Sequence, residues 1–77
     1  MNTTEEHAKV ARWLRNKREE AGLTQAQLAK LIGHHTSFVG RYEAGRRLEI
    51  VQFFKIVSAL NAKPDEAVAT CFKKDKD

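Results

Sequence analysis

The side chains of this chain that carry chemistry suggest noncovalent work. Ser37 and His35 pair a hydroxyl with an imidazole, His34 and His35 are adjacent ring nitrogens, and Lys17, Lys30, Arg41, Arg46 and Arg47 supply cations. Catalysis is not expected from these spacings. Ser37 and His35 sit on so short a helix start that a nucleophile, a base and an orienting acid have no room to assemble, and no phosphate-cradling glycine loop is present. No cysteine or carboxylate stands near His34 and His35 at ligand spacing, so neither a metal nor a cofactor is expected. What remains is anion recognition, with guanidinium and ammonium groups pairing with oxyanions and short polar side chains donating beside them.

These groups depend on two short helices. Thr24 is an N-cap hydroxyl with Gln27 three residues on to complete a capping box, so a helix starts at Gln25. Leu28, Ala29 and Ile32 share one face of it, and Gly33 is its natural stop. After His34 and His35, residues 36–44 resume helical spacing with Val39 and Tyr42 inward, and Gly45 closes the segment. Two helices set at a large angle across so short a turn form the arrangement in which the second helix enters the major groove of DNA. The motif spans residues 24–44.

The run from Arg18, R-E-E-A-G-L-T-Q-A-Q-L-A-K-L-I-G, then F-V-G-R-Y-E-A-G and F-F-K-I-V-S-A-L, resembles the helix-turn-helix family of lambda-type repressors and Cro proteins, the xenobiotic-response-element type. The likeness extends over roughly residues 10–68. It implies an all-α, five-helix, lambda repressor-like domain and a sequence-specific transcription regulator, a repressor or autoregulator on a palindromic operator. It also implies base contacts from His35, Thr36, Ser37 and Gly40, with Arg41 reaching a guanine or a phosphate. Phe38 is left between two roles, packing on a thymine methyl or folding back on the first motif helix. Gln25, with the free amides of its helix start, is placed for phosphate, and Arg46, Arg47 and Lys17 are further phosphate candidates. An arginine where Arg18 stands pairs, in that family, with a glutamate where Glu43 stands. The implied partner is double-stranded DNA, bound as a homodimer whose half-sites lie about 34 to 36 Å apart. The same fold also serves phage switches, restriction-modification controllers and antitoxins, and a protein-interaction module without DNA binding is the alternative class.

Size and charge agree with that reading. At 77 residues, one domain covering 1–77 is expected, with no effector domain and no small-molecule ligand. A net charge of +4 favours a polyanion, though modestly. The one cysteine, Cys71, and the absence of an apolar leader or spanning run lead us to expect a cytoplasmic, nucleoid-associated protein of bacterial or phage origin with no membrane role.

The flanks complete the domain. Thr3 or Thr4 is expected to cap a first helix that runs to about Ala21 before Gly22, with Val10, Leu14 and Trp13 inward. Glu49 precedes a helix over 50–60 whose inner stripe is read as Ile50, Phe53, Phe54, Val57 and Leu60. Asn61 ends that helix, and Pro64 opens a last one reaching about Phe72, with Ala67, Val68, Cys71 and Phe72 as its apolar face. A charged tail, 73–77, follows.

Overall fold

The start of the second helix and the ends of the helices are closed by local hydrogen bonds. The computed structural model describes residues 3–72, and five helices follow one another through them with no strand: α1 (Thr3–Glu20), α2 (Gln25–Ile32), α3 (Thr36–Glu43), α4 (Ile50–Ala59) and α5 (Pro64–Cys71). The tail 73–77 lies outside the described residues. Thr3 is already helical, so α1 begins before either threonine can act as its cap. The expected capping box at α2 is complete: Thr24 Oγ1 accepts from the Gln27 amide at 3.1 Å, and the Thr24 amide donates to Gln27 Oε1 at 2.8 Å.

Gly33 ends α2 at φ 75°, ψ 35°, a left-handed conformation that costs a Cβ-bearing residue strain. Its turn lets the His34 amide reach back to the Ala29 carbonyl at 2.9 Å, and the chain leaves α2 at once toward α3. The same closure recurs where Leu23, Arg46 and Ala62 donate to Arg18, Arg41 and Val57. At the last of these Asn61 takes the positive φ, 58°.

The core gathers one face of every helix. Leu14, Leu28, Val39 and Ile56 are fully enclosed, with Trp13, Ala29, Ile32, Tyr42, Val57, Leu60, Ala67 and Cys71 packed around them. In α1, Ala11 and Trp13 are buried with Leu14, whereas Val10 is only half-buried.

The stripe read for α4 needs correction. Ile50 and Phe54 are exposed, Phe53 is half-buried, and Ile56, absent from that stripe, is at the centre. Seven of the ten residues of α4 are apolar, so two overlapping stripes both satisfy a three-and-four spacing and periodicity cannot choose between them. Packing selects Phe53, Ile56, Val57 and Leu60. The expected face of α5 splits in the same way: Ala67 and Cys71 are buried, while Val68 and Phe72 are exposed. Among the described residues no helix is long and apolar enough to cross a membrane.

This placement has a stability signature. Ile56→Ala is expected to cost roughly 2 to 5 kcal/mol, the range for emptying a packed core site, and Ile50→Ala about 0.5 kcal/mol or less, as at exposed positions generally. Urea unfolding of the two variants measures the difference, and equal losses would return Ile50 to the core.

Candidate nucleic-acid interface

The geometry of the motif is set by one buried ion pair. Arg18, near the end of α1, donates from Nε to Glu43 Oε2 at 2.7 Å and from Nη2 to Glu43 Oε1 at 3.1 Å, a two-pronged contact with the last residue of α3. The side chains are only 10 % and 3 % exposed, so little water screens them. The third arm, Nη1, donates to the Leu23 carbonyl at 2.8 Å, which fixes the strand of chain leading into α2. Glu43 Oε1 also accepts from Gln25 Nε2 at 3.0 Å. One guanidinium and one carboxylate therefore join the end of α1, both ends of the entry to α2, and the end of α3. The Glu43 hydrogen bond, opposed by burial, raises the already high pKa of Arg18.

Fastened at its far end, α3 presents its near end to solvent. His35 is the N-cap residue, but its side chain makes no cap bond, and His35, Thr36, Ser37 and Arg41 are all exposed. Gly40 lies beside Gln25: a Cβ placed there would sit 3.7 Å from Gln25 Oε1, an ordinary contact. The start of α2 therefore abuts the middle of α3, with first-turn amides turned outward as at any helix start.

Phe38 goes the other way. Its ring is half-buried, stacks on His34 at 4.2 Å between centroids and meets Tyr42 edge-on at 5.5 Å. Apolar faces that find each other leave little of the ring for an outside contact, and the partner is the imidazole in the turn rather than α2. His34 in turn has its Nε2 2.9 Å from Gln52 Oε1, tying the turn to α4. Nothing in the sequence pattern marks this stack except the four-residue spacing of His34 and Phe38.

The cations separate into two groups. Arg41, Arg46 and Arg47 surround a shallow hollow floored by Phe38 and Tyr42, and among the described residues none has a carboxylate partner. Lys17 is placed apart from them. Its Nζ lies 3.2 Å from Glu66 and 3.5 Å from Glu20, over the face of Trp13, and the Glu66 hydrogen bond is the first cause of its raised pKa. It holds α1 to α5 and is not brought together with the arginines.

Tyr42 is inward, as its spacing implies. It is 2 % exposed, and its hydroxyl has no hydrogen-bond partner among the described residues. Burial, with Glu43 adding to it and Arg18 opposing, pushes its phenol well above the ordinary value.

A family model described as helix-turn-helix matches residues 14–66, more than two thirds of the chain, beginning within α1 and ending in the first turn of α5. A search of curated proteins returned no match.

Two expectations follow from the buried groups. Arg18→Ala or Glu43→Ala should lose roughly 3 to 5 kcal/mol by stranding the surviving charge, whereas Arg15→Ala, which breaks an exposed pair with Glu19 at 3.1 Å, should lose about 0 to 1 kcal/mol. Equal unfolding midpoints would remove the ion pair from its structural role. The second concerns alkaline pH. A phenol held protonated in the folded state above the pH at which the unfolded chain releases its proton leaves stability intact below about pH 10 and erodes it above. Tyr42 is the sole tyrosine, so ultraviolet titration reads it directly. The tyrosinate signal should emerge together with alkaline unfolding, and a smooth rise in the still-folded protein would place the hydroxyl in water.

Proposed function

The chain belongs to the lambda repressor-like, Cro-type helix-turn-helix family of DNA-binding regulators, and on that premise we propose that it is a transcriptional repressor or autoregulator that occupies a palindromic operator as a homodimer. The observation that carries the reading is the exposed start of α3, braced from behind by Arg18, Glu43 and Gln25, with three arginines in its last turn and beyond it that have no carboxylate partner among the described residues. A short helix so held enters the major groove by its first turn.

Roles divide by reach. His35, Thr36 and Ser37 face base edges, Gly40 lets the backbone of α3 approach closely, and Arg41 takes a guanine edge or the adjoining phosphate. Arg46 and Arg47, directly beyond α3, and Gln25 at the start of α2 hold the backbone. Gln25 does so while one of its amide hydrogens is committed to Glu43, so the ion pair orients the phosphate contact as well as the helix. Phe38 supports α3 from within instead of reading a base, and Lys17, held by Glu66 and Glu20, is left out of the contact set.

One copy covers few base pairs, and the surface offers a means of pairing. Ile50, Val51 and Phe54 on α4, Val68 on α5 and Phe72 just after it are all exposed. Exposed apolar residues in this number on a small protein support a partner surface, and pairing there would give two copies of α3 for half-sites about 34 to 36 Å apart. Residues 1–77 then act as one DNA-binding unit. Repression follows from occupancy, since a dimer seated on a promoter excludes polymerase.

Selection of bound duplexes from a random library tests these assignments together. The selected sites should show dyad symmetry. Arg46→Ala should weaken all selected sequences alike and lower the salt dependence of binding by about one unit of slope, whereas substitutions at Thr36 and Ser37 should change which sequences win. The opposite pattern would reverse the division between backbone and base contacts.

A further inference from the structure

The exposed start of α3 has no side-chain cap, since His35 makes no cap bond, and the pair of Arg18 and Glu43 holds the other end of the helix. Its first turn is steadied by a chain of contacts that begins on α4. We propose that Gln52 is a positioning residue for DNA reading: through His34 and Phe38 it sets where His35, Thr36 and Ser37 meet the duplex.

His34 is the centre of the arrangement. Its backbone amide donates to the Ala29 carbonyl at 2.9 Å and so belongs to the closed end of α2. Its ring lies nearly parallel to that of Phe38 in α3, with 4.2 Å between centroids and 19° between planes. Its Nε2 is 2.9 Å from Gln52 Oε1. A carbonyl oxygen only accepts, so Nε2 carries the imidazole proton and donates it to Gln52. One residue in the turn thereby touches α2, α3 and α4 at once. The stack alone would let the two rings slide across each other, whereas the hydrogen bond is directional and fixes the imidazole within its own plane. Phe38 sits against that fixed ring on one side and meets Tyr42 edge-on at 5.5 Å on the other. A swing of the first turn of α3 therefore strains the stack, the bond or both.

His34 and Gln52 are half-buried, whereas His35, Thr36 and Ser37 are exposed. Polar groups partly withdrawn from water and bonded to each other are suited to support a reading surface. A direct contact of Gln52 with the DNA backbone is the competing role, and it has a different signature: it would strengthen every sequence equally. Support of the base-reading residues strengthens the matched sequence alone, since a displaced α3 loses base edges while Arg46 and Arg47, in the loop beyond, keep their phosphates. This consequence rests on the reading of α3 as the base-reading helix; the support of its first turn by Gln52 does not.

Gln52→Ala removes the acceptor and puts a strong helix former into α4, so the variant stays folded. Gln52→Glu keeps an acceptor oxygen at the same reach. In the DNA-free chain, proton NMR should find the His34 ring protons displaced by the Phe38 ring in the unaltered protein and in Gln52→Glu. In Gln52→Ala they should lose that displacement, with amide changes on residues 34–38 and little change at Tyr42 and Glu43. Amide changes confined to α4 would overturn the support. Titration with a selected duplex and with a random-sequence duplex of equal length reads the consequence. Gln52→Ala should lower the ratio of the two affinities about fivefold and leave the random duplex unaltered. Gln52→Glu should weaken both duplexes through its added negative charge and keep the ratio. Equal weakening of both duplexes by Gln52→Ala would make Gln52 a backbone contact and overturn the proposal, as would an unchanged ratio. An unaltered chain that does not separate the two duplexes would overturn the base-reading role of α3 and the consequence for DNA with it, while the ring-proton measurement still upholds or overturns the support.

Discussion

The contact between Arg18 and Glu43 is the constraint on which the rest of this structure depends. A charged pair taken out of water is costly unless its geometry is good and its remaining hydrogen-bonding capacity is used. Here both requirements are met by groups from different parts of the chain: the Leu23 carbonyl takes the third arm of the guanidinium, and Gln25 donates to the carboxylate. Each of these contacts is directional, whereas the apolar contacts of Leu28, Val39 and Ile56 would tolerate some sliding. The core thus supplies cohesion and the ion pair supplies the angle. An eight-residue α3 has little helical stability of its own, and it projects its first turn into solvent because its last residue is anchored inside.

That division accounts for where the functional groups lie. The buried polar atoms are concentrated at the closed end of the motif and the exposed hydroxyls of Thr36 and Ser37 at the open end, while the exposed arginines follow in the last turn of α3 and the loop beyond it. Gln25 belongs to both, with its nitrogen on Glu43 and its oxygen beside Gly40. A change in the ion pair is therefore felt at the surface proposed to meet DNA through a single intervening side chain. Tyr42, one residue before Glu43, forms part of the wall of an apolar pocket between α1, α4 and α5. Arg46, after the turn, belongs to both the cavity and the basic surface.

Local signals in the sequence carried the helix-turn-helix itself. Thr24 with Gln27 marked the start of α2, Gly33 its end, and the three-and-four spacing of Leu28 and Ile32 its buried face, because caps and amphipathic spacing act over a single turn. The pairing of Arg18 with Glu43, 25 residues apart, came from family resemblance; no local rule joins such distant positions. The legible signal failed where apolar residues were too plentiful. Ile50 and Phe54 in α4 are exposed while Ile56 is buried, and Val68 and Phe72 in α5 are exposed beside the buried Ala67 and Cys71; only packing against α1 and α2 separates them. Lys17 was grouped with the DNA-facing cations on charge alone, since the sequence does not show that Glu66 folds back beside it. The His34 and Phe38 stack and the unanswered hydroxyl of Tyr42 are likewise products of tertiary packing.

The central claim is that the ion pair holds α3 so that its first turn, together with Gln25 and the arginines beyond α3, is the face that meets the duplex. Backbone amide shifts recorded on adding a duplex DNA test this most directly, since they report on every helix at once. The account predicts that the largest changes fall on residues 35–41 and 46–47 and on Gln25, with smaller changes on α4 and α5 confined to the proposed pairing surface. Largest changes on α4 and α5, or changes spread evenly over the five helices, would contradict it.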